Sequence, residues 1–507
     1  MDGNDGSELC QFYPLIIIDF NQEITPIKID NNIMVLLRTM ERKITRRMEE
    51  WKNDLDHKPL VLTGCRQIGK TYSALEFAKT HYQNHIYINF ETNPEKKQLF
   101  DGFLEYDDLI SKLSFSEKVG LIEGGSVIIL DGIQDCPNAY SALKTLSLSN
   151  EVDVIAISSF LDVNPEDNDG EIPPLGYINM ERMHPLDFEE YLWAMGIEKE
   201  LIGTIEGSIL NHTPVDEYFN RVLTDHYQRF IVIGGMPEAV RIYSETKDYT
   251  RVSKVLDGIV TILRKDVDRH STKSGLTKIS ACMDSIPAQL SRKKKEFTYS
   301  MIEGKRNVGK KVYGSSLDWL ENAGLIYRCH NVSEPVPPLS EKVDEGNFKV
   351  YMTDTGILMH LMEDVDPAVV ALGDPYIDHG AILENAILSD ILKKGYEPFY
   401  YSKKNSTLEI SFIMSRNNRI GLIDVKSGMN KRAKSLKTMM DQRIDNRDGF
   451  KVIIGNVLTE DNGIVHLPLY AFSMIEPREV ENIPPALDPE EINRIFRESK
   501  GNQGADL

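Results

Sequence analysis

Pro59-Leu-Val-Leu-Thr-Gly-Cys-Arg-Gln-Ile-Gly-Lys-Thr71 decides how the chain is read. Four apolar or β-favouring residues follow a proline, as in a short buried strand. Gly64-Cys-Arg-Gln-Ile-Gly-Lys-Thr71 then satisfies G-x-x-x-x-G-K-[ST] at every fixed position and runs into a helical pattern, Tyr72 to His81. Strand, glycine-rich loop and helix in that order form a phosphate cradle. Gly64 and Gly69 let the backbone of Cys65, Arg66, Gln67 and Ile68 curl so that its N–H groups face the phosphates, and the helix N-terminus adds its dipole. Lys70 is expected to reach the β- and γ-phosphates, and the Thr71 hydroxyl to ligate Mg²⁺. ATP and Mg²⁺ are therefore the expected cofactors.

Working outward, further apolar strands alternate with helical patterns: His85 to Glu91, Ser126 to Asp131, Val152 to Ser158 and Gly176 to Met180. That alternation predicts a parallel sheet covered on both faces. Val127-Ile-Ile-Leu-Asp131 ends in an acid at the strand's C-terminal edge, where Asp131 is expected to hold Mg²⁺, mostly through water. Many ATPases of this kind carry a glutamate next, to orient the attacking water, and here the position is Gly132. Glu91 and Asp135 are the acids available to replace it, with Glu91 the stronger candidate beside Lys70 and Asp131. The expectation is tight ATP binding with weak or conditional hydrolysis. Ser158 and Ser159 can sense the γ-phosphate or serve as plain loop residues. Arg264 and Arg269 can touch nucleotide in cis, act as an arginine finger in trans, or lie on a solvated helix face.

The 507 residues include 58 Lys and Arg against 78 Asp and Glu, a net charge of −20, with 41% hydrophobic and 27% charged residues. These are globular values that exclude a wholesale disordered chain and a basic nucleic-acid coat. Five scattered cysteines, Cys10, Cys65, Cys136, Cys282 and Cys329, form no CxxC pair, which suits a reducing compartment. The apolar run Leu15 to Ile18 is too short to span a bilayer and no signal peptide pattern opens the chain, so a cytoplasmic protein without a membrane partner is expected. The charge is uneven. Residues 291–311 hold eight basic residues (Arg292, Lys293, Lys294, Lys295, Lys305, Arg306, Lys310, Lys311) against Glu296 and Glu303, a local net of +6. Helical patterns followed by two strand-like runs, Leu325 to Val332 and Phe348 to Met352, suggest a winged helix that contacts DNA. The alternative is a basic face docked on the protein's own acidic parts.

Several stretches together resemble the archaeal and bacterial AAA-type ATPases that carry a C-terminal domain of unknown function, the 4143 type. They are the phosphate loop with Gln67, Tyr87-Ile-Asn-Phe-Glu91, and Leu130-Asp-Gly-Ile-Gln-Asp-Cys-Pro137 with Gly132 in place of the family's Glu. His184-Pro-Leu-Asp-Phe-Glu-Glu-Tyr191, Gly234-Gly-Met-Pro-Glu-Ala239, Ser316 to Leu325 and Phe348 to Gly356 complete the set. The resemblance spans roughly 40–475. It implies an α/β chain: a P-loop parallel-sheet ATPase core, a helical lid, a winged-helix middle domain and a restriction-endonuclease-like α/β C-terminal domain. The boundaries expected are an N-terminal extension at 1–38, the core at 39–184, the lid at 185–280, the winged helix at 281–362, the nuclease-like unit at 376–477 and a polar tail at 478–507.

In the C-terminal unit, Glu384 lies on a helical pattern, Gly380 to Lys393, and Asp424-x-Lys426 sits on one face of a strand. A nuclease-like core gathers Mg²⁺ with such residues plus a strand Asp. The resemblance places that Asp at 411, where the chain has Ser411, a poor Mg²⁺ ligand, with Glu409 two residues earlier on the same face. The readings that follow are a degenerate, structural or DNA-holding fold and, as the alternative, an ATP-regulated nuclease. A third reading is a regulatory DNA-binding protein with structural nucleotide.

Overall fold

The computed structural model describes residues 40–474 except 103–104, 150, 161–174, 271–272, 305–308, 363–364, 374–379, 405, 417–418, 427–433, 442–445 and 461, and except the side chains at 175, 267–270, 273–274 and 416. The N-terminal extension with its apolar run and the polar tail lie outside the described residues.

The first layer is the alternating region. Helix α1 (Lys43–Asn53) leads into β1 (Leu60–Thr63), α2 (Lys70–His81), β2 (Asn84–Asn89), α3 (Tyr106–Glu117), β3 (Ser126–Asp131), α4 (Pro137–Ser149), β4 (Asp153–Ile157) and β5 (Asn179–Arg182). All five strands pair in parallel, in the order β2-β3-β4-β1-β5. Parallel pairing needs long crossovers, which the intervening helices supply. The Val127 to Leu130 side chains of β3 are fully buried, each contributing roughly 1.5–3 kcal/mol of burial free energy. The fifth strand starts at Asn179, three residues later than the start of the stretch the sequence suggested, and its register is set by pairing Leu60 with Asn179 and Thr63 with Arg182.

Helices α5 (Phe188–Ala194), α6 (Lys199–Leu210), α7 (Glu217–Ile233), α8 (Pro237–Thr246) and α9 (Tyr249–His270) form the next, all-helical stretch. Then come α10 (Lys273–Leu290), α11 (Lys310–Asn322), β6 (Ile326–Val332), β7 (Val343–Met352), α12 (Thr355–His360), α13 (Pro367–Ala371), α14 (Gly380–Lys393), β8 (Phe399–Ser402), β9 (Glu409–Arg416), β10 (Arg419–Val425), α15 (Lys434–Asp441), β11 (Arg447–Ile453), β12 (Leu458–Thr459) and β13 (Ile464–Pro468). The last eight strands make one mixed sheet, ordered β12-β13-β11-β10-β9-β8-β6-β7. The seam drawn between a middle and a C-terminal domain is thus crossed by a ladder. Asn331 of β6 pairs in parallel with Tyr400 of β8, and the Asn331 side chain accepts from the Ser402 amide at 2.8 Å.

Three of the family-like motifs meet at one junction. Gly235 of the Gly234-Gly-Met-Pro turn donates its N–H to buried Asp354 at 2.7 Å, and its carbonyl accepts from Leu186 at 2.7 Å. Asp354 also caps α12 through the Ile357 amide at 3.0 Å. From α7, the Tyr227 hydroxyl donates to Asp390 of α14 at 2.5 Å. The helical stretch and the C-terminal sheet are therefore joined by buried polar contacts as well as apolar packing. No helix among the described residues is long and apolar enough to cross a membrane.

Candidate nucleotide-binding site

The ends of β1, β2, β3 and β4 converge at the C-terminal edge of the first sheet, where open parallel sheets take their ligands. The ladders fix the geometry: Asn89 faces Asp131, Asp131 faces Ile157, and the Ser158 amide donates to Leu62 at 2.9 Å. The loop after β1 turns through left-handed backbone at Gln67 (φ 68°) and Gly69 (φ 90°). Gly64 admits no side chain, because a Cβ there would lie 2.3 Å from the Met183 carbonyl oxygen.

Lys70 opens α2 and is only 6% exposed. Its ammonium donates to the carbonyls of Gly64 at 2.8 Å and Cys65 at 2.7 Å, so it caps the hollow of its own loop. Burial pushes its pKa down to about 8. The Thr71 hydroxyl donates to Asp131 Oδ2 at 2.7 Å, and the same oxygen accepts from Tyr87 at 3.0 Å and Asn89 at 3.2 Å. A hydroxyl and a carboxylate held side by side are the hard oxygen donors that Mg²⁺ takes, with phosphate oxygens and water completing its shell. The residues present therefore fit an Mg–nucleotide complex.

Glu91 stands beside this cluster, and its carboxylate accepts from Arg66 Nη1 at 2.7 Å. The Arg66 guanidinium also pairs with Asp266 of α9, so the loop, the β2 edge and the helical stretch share one ionic contact. Gly132 has left-handed backbone (φ 74°) and adds no side chain. Asp135 lies in the short 3₁₀ turn Ile133–Asp135, its Oδ2 3.6 Å from where a Gly132 Cβ would stand. Ser158 is buried and its hydroxyl bonds within its own turn, to the Phe160 carbonyl and amide. The Ser159 amide donates to the Gln134 side chain at 3.3 Å. Arg264 pairs with Asp284 of α10 at 2.5 Å. The side chain of Arg269 lies outside the described residues.

Sequence reasoning missed Arg42 and Asp266. Arg42 is buried just ahead of α1, and its guanidinium donates to the Ile68 carbonyl in the phosphate loop (2.6 Å), to the His184 carbonyl (2.9 Å) and to Glu190 (3.0 Å). Both residues act across long sequence distances that no local motif encodes.

In the C-terminal unit the acids singled out are met by lysines. Glu384 pairs with Lys295 at 2.8 Å and accepts from the Tyr351 hydroxyl at 3.0 Å. Burial opposes its charge, but Lys295 and Lys349 outweigh that and hold its pKa below the usual carboxylate range. Glu409 pairs with Lys349, itself 1% exposed, at 2.6 Å. Asp424 pairs with Lys426 at 2.7 Å, while burial raises its pKa. Ser411 accepts from the Val425 amide at 3.3 Å. Among the described residues no three His, Cys, Asp or Glu side chains are grouped to hold a metal. Within the basic segment, Lys295 thus points into this unit, while Arg292, Lys293, Lys294, Lys310 and Lys311 are exposed. Lys305 and Arg306 lie outside the described residues.

Family comparison agrees with the geometry at the first sheet. Residues 56–192 match the model described as an AAA domain, and residues 379–472 match a domain of unknown function, DUF4143. The chain carries an AAA domain and a C-terminal DUF4143 domain. Between them, residues 224–367 match a second domain of unknown function, DUF8612, which runs across the boundary drawn at 280. A search of curated proteins found no match. Among solved structures, the Aeropyrum pernix Orc1 protein in complex with DNA is similar at 12% identity, with 66% of this chain and 92% of that chain covered and a TM-score of 0.25. The Thermotoga maritima RuvB Holliday junction branch migration motor is similar at 14% identity, with 57% and 90% covered and a TM-score of 0.27.

Proposed function

We propose that this AAA protein is a nucleotide-dependent switch that binds ATP tightly, hydrolyses it weakly or conditionally, and associates with DNA through the exposed part of its basic segment. The observation that carries the reading is the phosphate loop and Thr71–Asp131 pair completed by a glycine, Gly132, where a water-orienting acid is wanted. In the free protein Lys70 is bonded to two loop carbonyls. Phosphate oxygens are better acceptors for an ammonium, so ATP would draw Lys70 off them. Mg²⁺ would supply charge neutralisation on the phosphates, held by Thr71 and Asp131. Glu91 is the acid best placed to act as base, and Arg66 neutralises it. Hydrolysis would wait for a change that separates the two. Because Arg66 also holds Asp266, that change would involve α9, as a shift between populated arrangements.

Gly132→Glu tests the missing acid. The nearest atom to a Cβ there is 3.6 Å away, an ordinary contact, so a Cβ is accommodated. The left-handed backbone costs roughly 1–2 kcal/mol of stability. A positioned general base contributes about 10²–10⁴ in rate. Steady-state turnover is expected to rise at least about tenfold in the variant, and Glu91→Gln in the native background is expected to lower it. An unchanged rate in both would remove this account of slow hydrolysis.

The DNA reading rests on five exposed cations, and a phosphate footprint has a salt signature. Affinity for a duplex is expected to fall steeply with salt, by roughly 0.9 log units per log unit of salt for each phosphate neutralised. ATP is expected to shift that affinity in the native protein and not in Lys70→Ala. A flat salt response would favour the segment as an internal docking face, the role Lys295 already plays at Glu384. Lysines on Glu384 and Glu409 support a DNA-holding or structural unit over a cutting one. Supercoiled DNA incubated with the protein and Mn²⁺ is expected to stay intact. Cleavage that disappears in Lys426→Ala would restore the nuclease reading.

A further inference from the structure

A cavity of about 520 Å³ opens where the first sheet, the start of α1 and the turn after α14 meet. It lies behind the phosphate loop, and Arg42 is common to both, lining the cavity while donating to the Ile68 carbonyl. The lining is cationic on balance: six Arg or Lys side chains against four Asp or Glu. Two of those acids are already satisfied. Asp187 is held by Lys43 and the Glu190 amide, and Glu190 by Arg42 and the amides of Lys43 and Asp187.

Two groups on the turn after α14 are short of partners. Lys394 is 4% exposed, yet its ammonium stands 3.8 Å from Asp187, longer than a hydrogen bond. Burial lowers its pKa, as expected for a cation with too few acceptors. Tyr396 is also 4% exposed, and its hydroxyl is buried with no hydrogen-bond partner. A buried donor without an acceptor costs about 1–3 kcal/mol. Such a donor beside an ammonium with only a long ion pair, in a cavity of ligand size (roughly 300–1,000 Å³), calls for an occupant that brings acceptors. A hard cation is repelled by the lysines, and an apolar molecule leaves both donors unmet.

We infer that this cavity is a second anion site, distinct from the phosphate loop, that binds a small phosphorylated molecule through Lys394 and Tyr396 with Arg47 and Arg182 also in its lining. A phosphate group offers several acceptor oxygens in one place, enough for the ammonium and the phenol together.

Inorganic pyrophosphate titrated calorimetrically into full-length Lys70→Ala protein, whose phosphate loop is disabled, is the direct test. One binding event is expected. Lys394→Met should weaken it at least about tenfold, and Tyr396→Phe, which removes a single oxygen and keeps the ring, should weaken it several-fold. The phenylalanine variant decides the matter if the methionine variant does not fold. Absence of binding at millimolar pyrophosphate, or binding unchanged in both variants, would overturn the site. Displacement of pyrophosphate by a DNA duplex would overturn the small-molecule assignment in favour of backbone phosphate.

Discussion

Lys70→Ala is expected to weaken ATP binding by about two orders of magnitude or more while leaving the fold in place. The side chain is buried at the mouth of a loop whose other phosphate ligands are backbone N–H groups that mutation does not remove. Its contact with phosphate is charge-assisted and desolvated, of the kind whose loss costs about 2–5 kcal/mol, and a hundredfold change in affinity is about 2.7 kcal/mol. Stability behaves oppositely. A buried ammonium whose pKa is pushed down to about 8 is charged at a cost, so removing it relieves strain on the free protein. The thermal midpoint of the variant should match or exceed that of the native protein. The same shift gives a pH signature. Phosphate favours the charged lysine, so binding near pH 8 takes up a fraction of a proton, and affinity falls as pH rises through 8. Calorimetry in buffers of different ionisation enthalpy reads that uptake directly, and its loss in Lys70→Ala assigns it.

Gly235→Ala is expected to destabilise the protein by about 3 kcal/mol or to prevent folding. A Cβ at 235 would stand 2.2 Å from the Leu186 carbonyl oxygen and 2.9 Å from its nitrogen. Both are backbone atoms, fixed because the same peptide segments exchange hydrogen bonds with each other and with Asp354. Overpacking against backbone typically costs about 1–3 kcal/mol and sometimes more, and here the three-motif junction must separate to accommodate it. The contrast is Gly203→Ala. It lies exposed in the middle of α6 with nothing within 4 Å of its Cβ, where alanine should stabilise by roughly 0.8–1.0 kcal/mol. Denaturant midpoints of the two variants should therefore move in opposite directions.

What the sequence displays well is what local pattern encodes. The strand, loop and helix around Gly64 to Thr71 sit where the motif puts them, and α14 spans the same fourteen residues as its helical pattern, because each carries its own local pattern. Pairing between distant segments is not encoded locally. The exposed and acidic start of β7, from Val343 to Asn347, carries no strand pattern and becomes strand because β6 lies alongside it. The continuation of that ladder into β8 joins regions that composition separates. Charge counting has the same limit. It reveals the basic run at 291–311, but it does not distinguish Lys295, which turns inward onto Glu384, from its exposed neighbours. Arg42 looks like an ordinary helix-flanking charge and Asp266 like an ordinary helix-surface charge until the fold brings them to Ile68 and Arg66.

The most direct test of the central claim is a single-turnover measurement. Native protein in excess is mixed with radiolabelled ATP and Mg²⁺, freed of unbound nucleotide, and quenched over seconds to an hour. The account predicts one ATP retained per chain and recovered mostly uncleaved after minutes, with retention lost in Lys70→Ala. Conversion to ADP within the first second, at the roughly 10 s⁻¹ of a typical enzyme, would contradict it, as would failure to retain ATP at all.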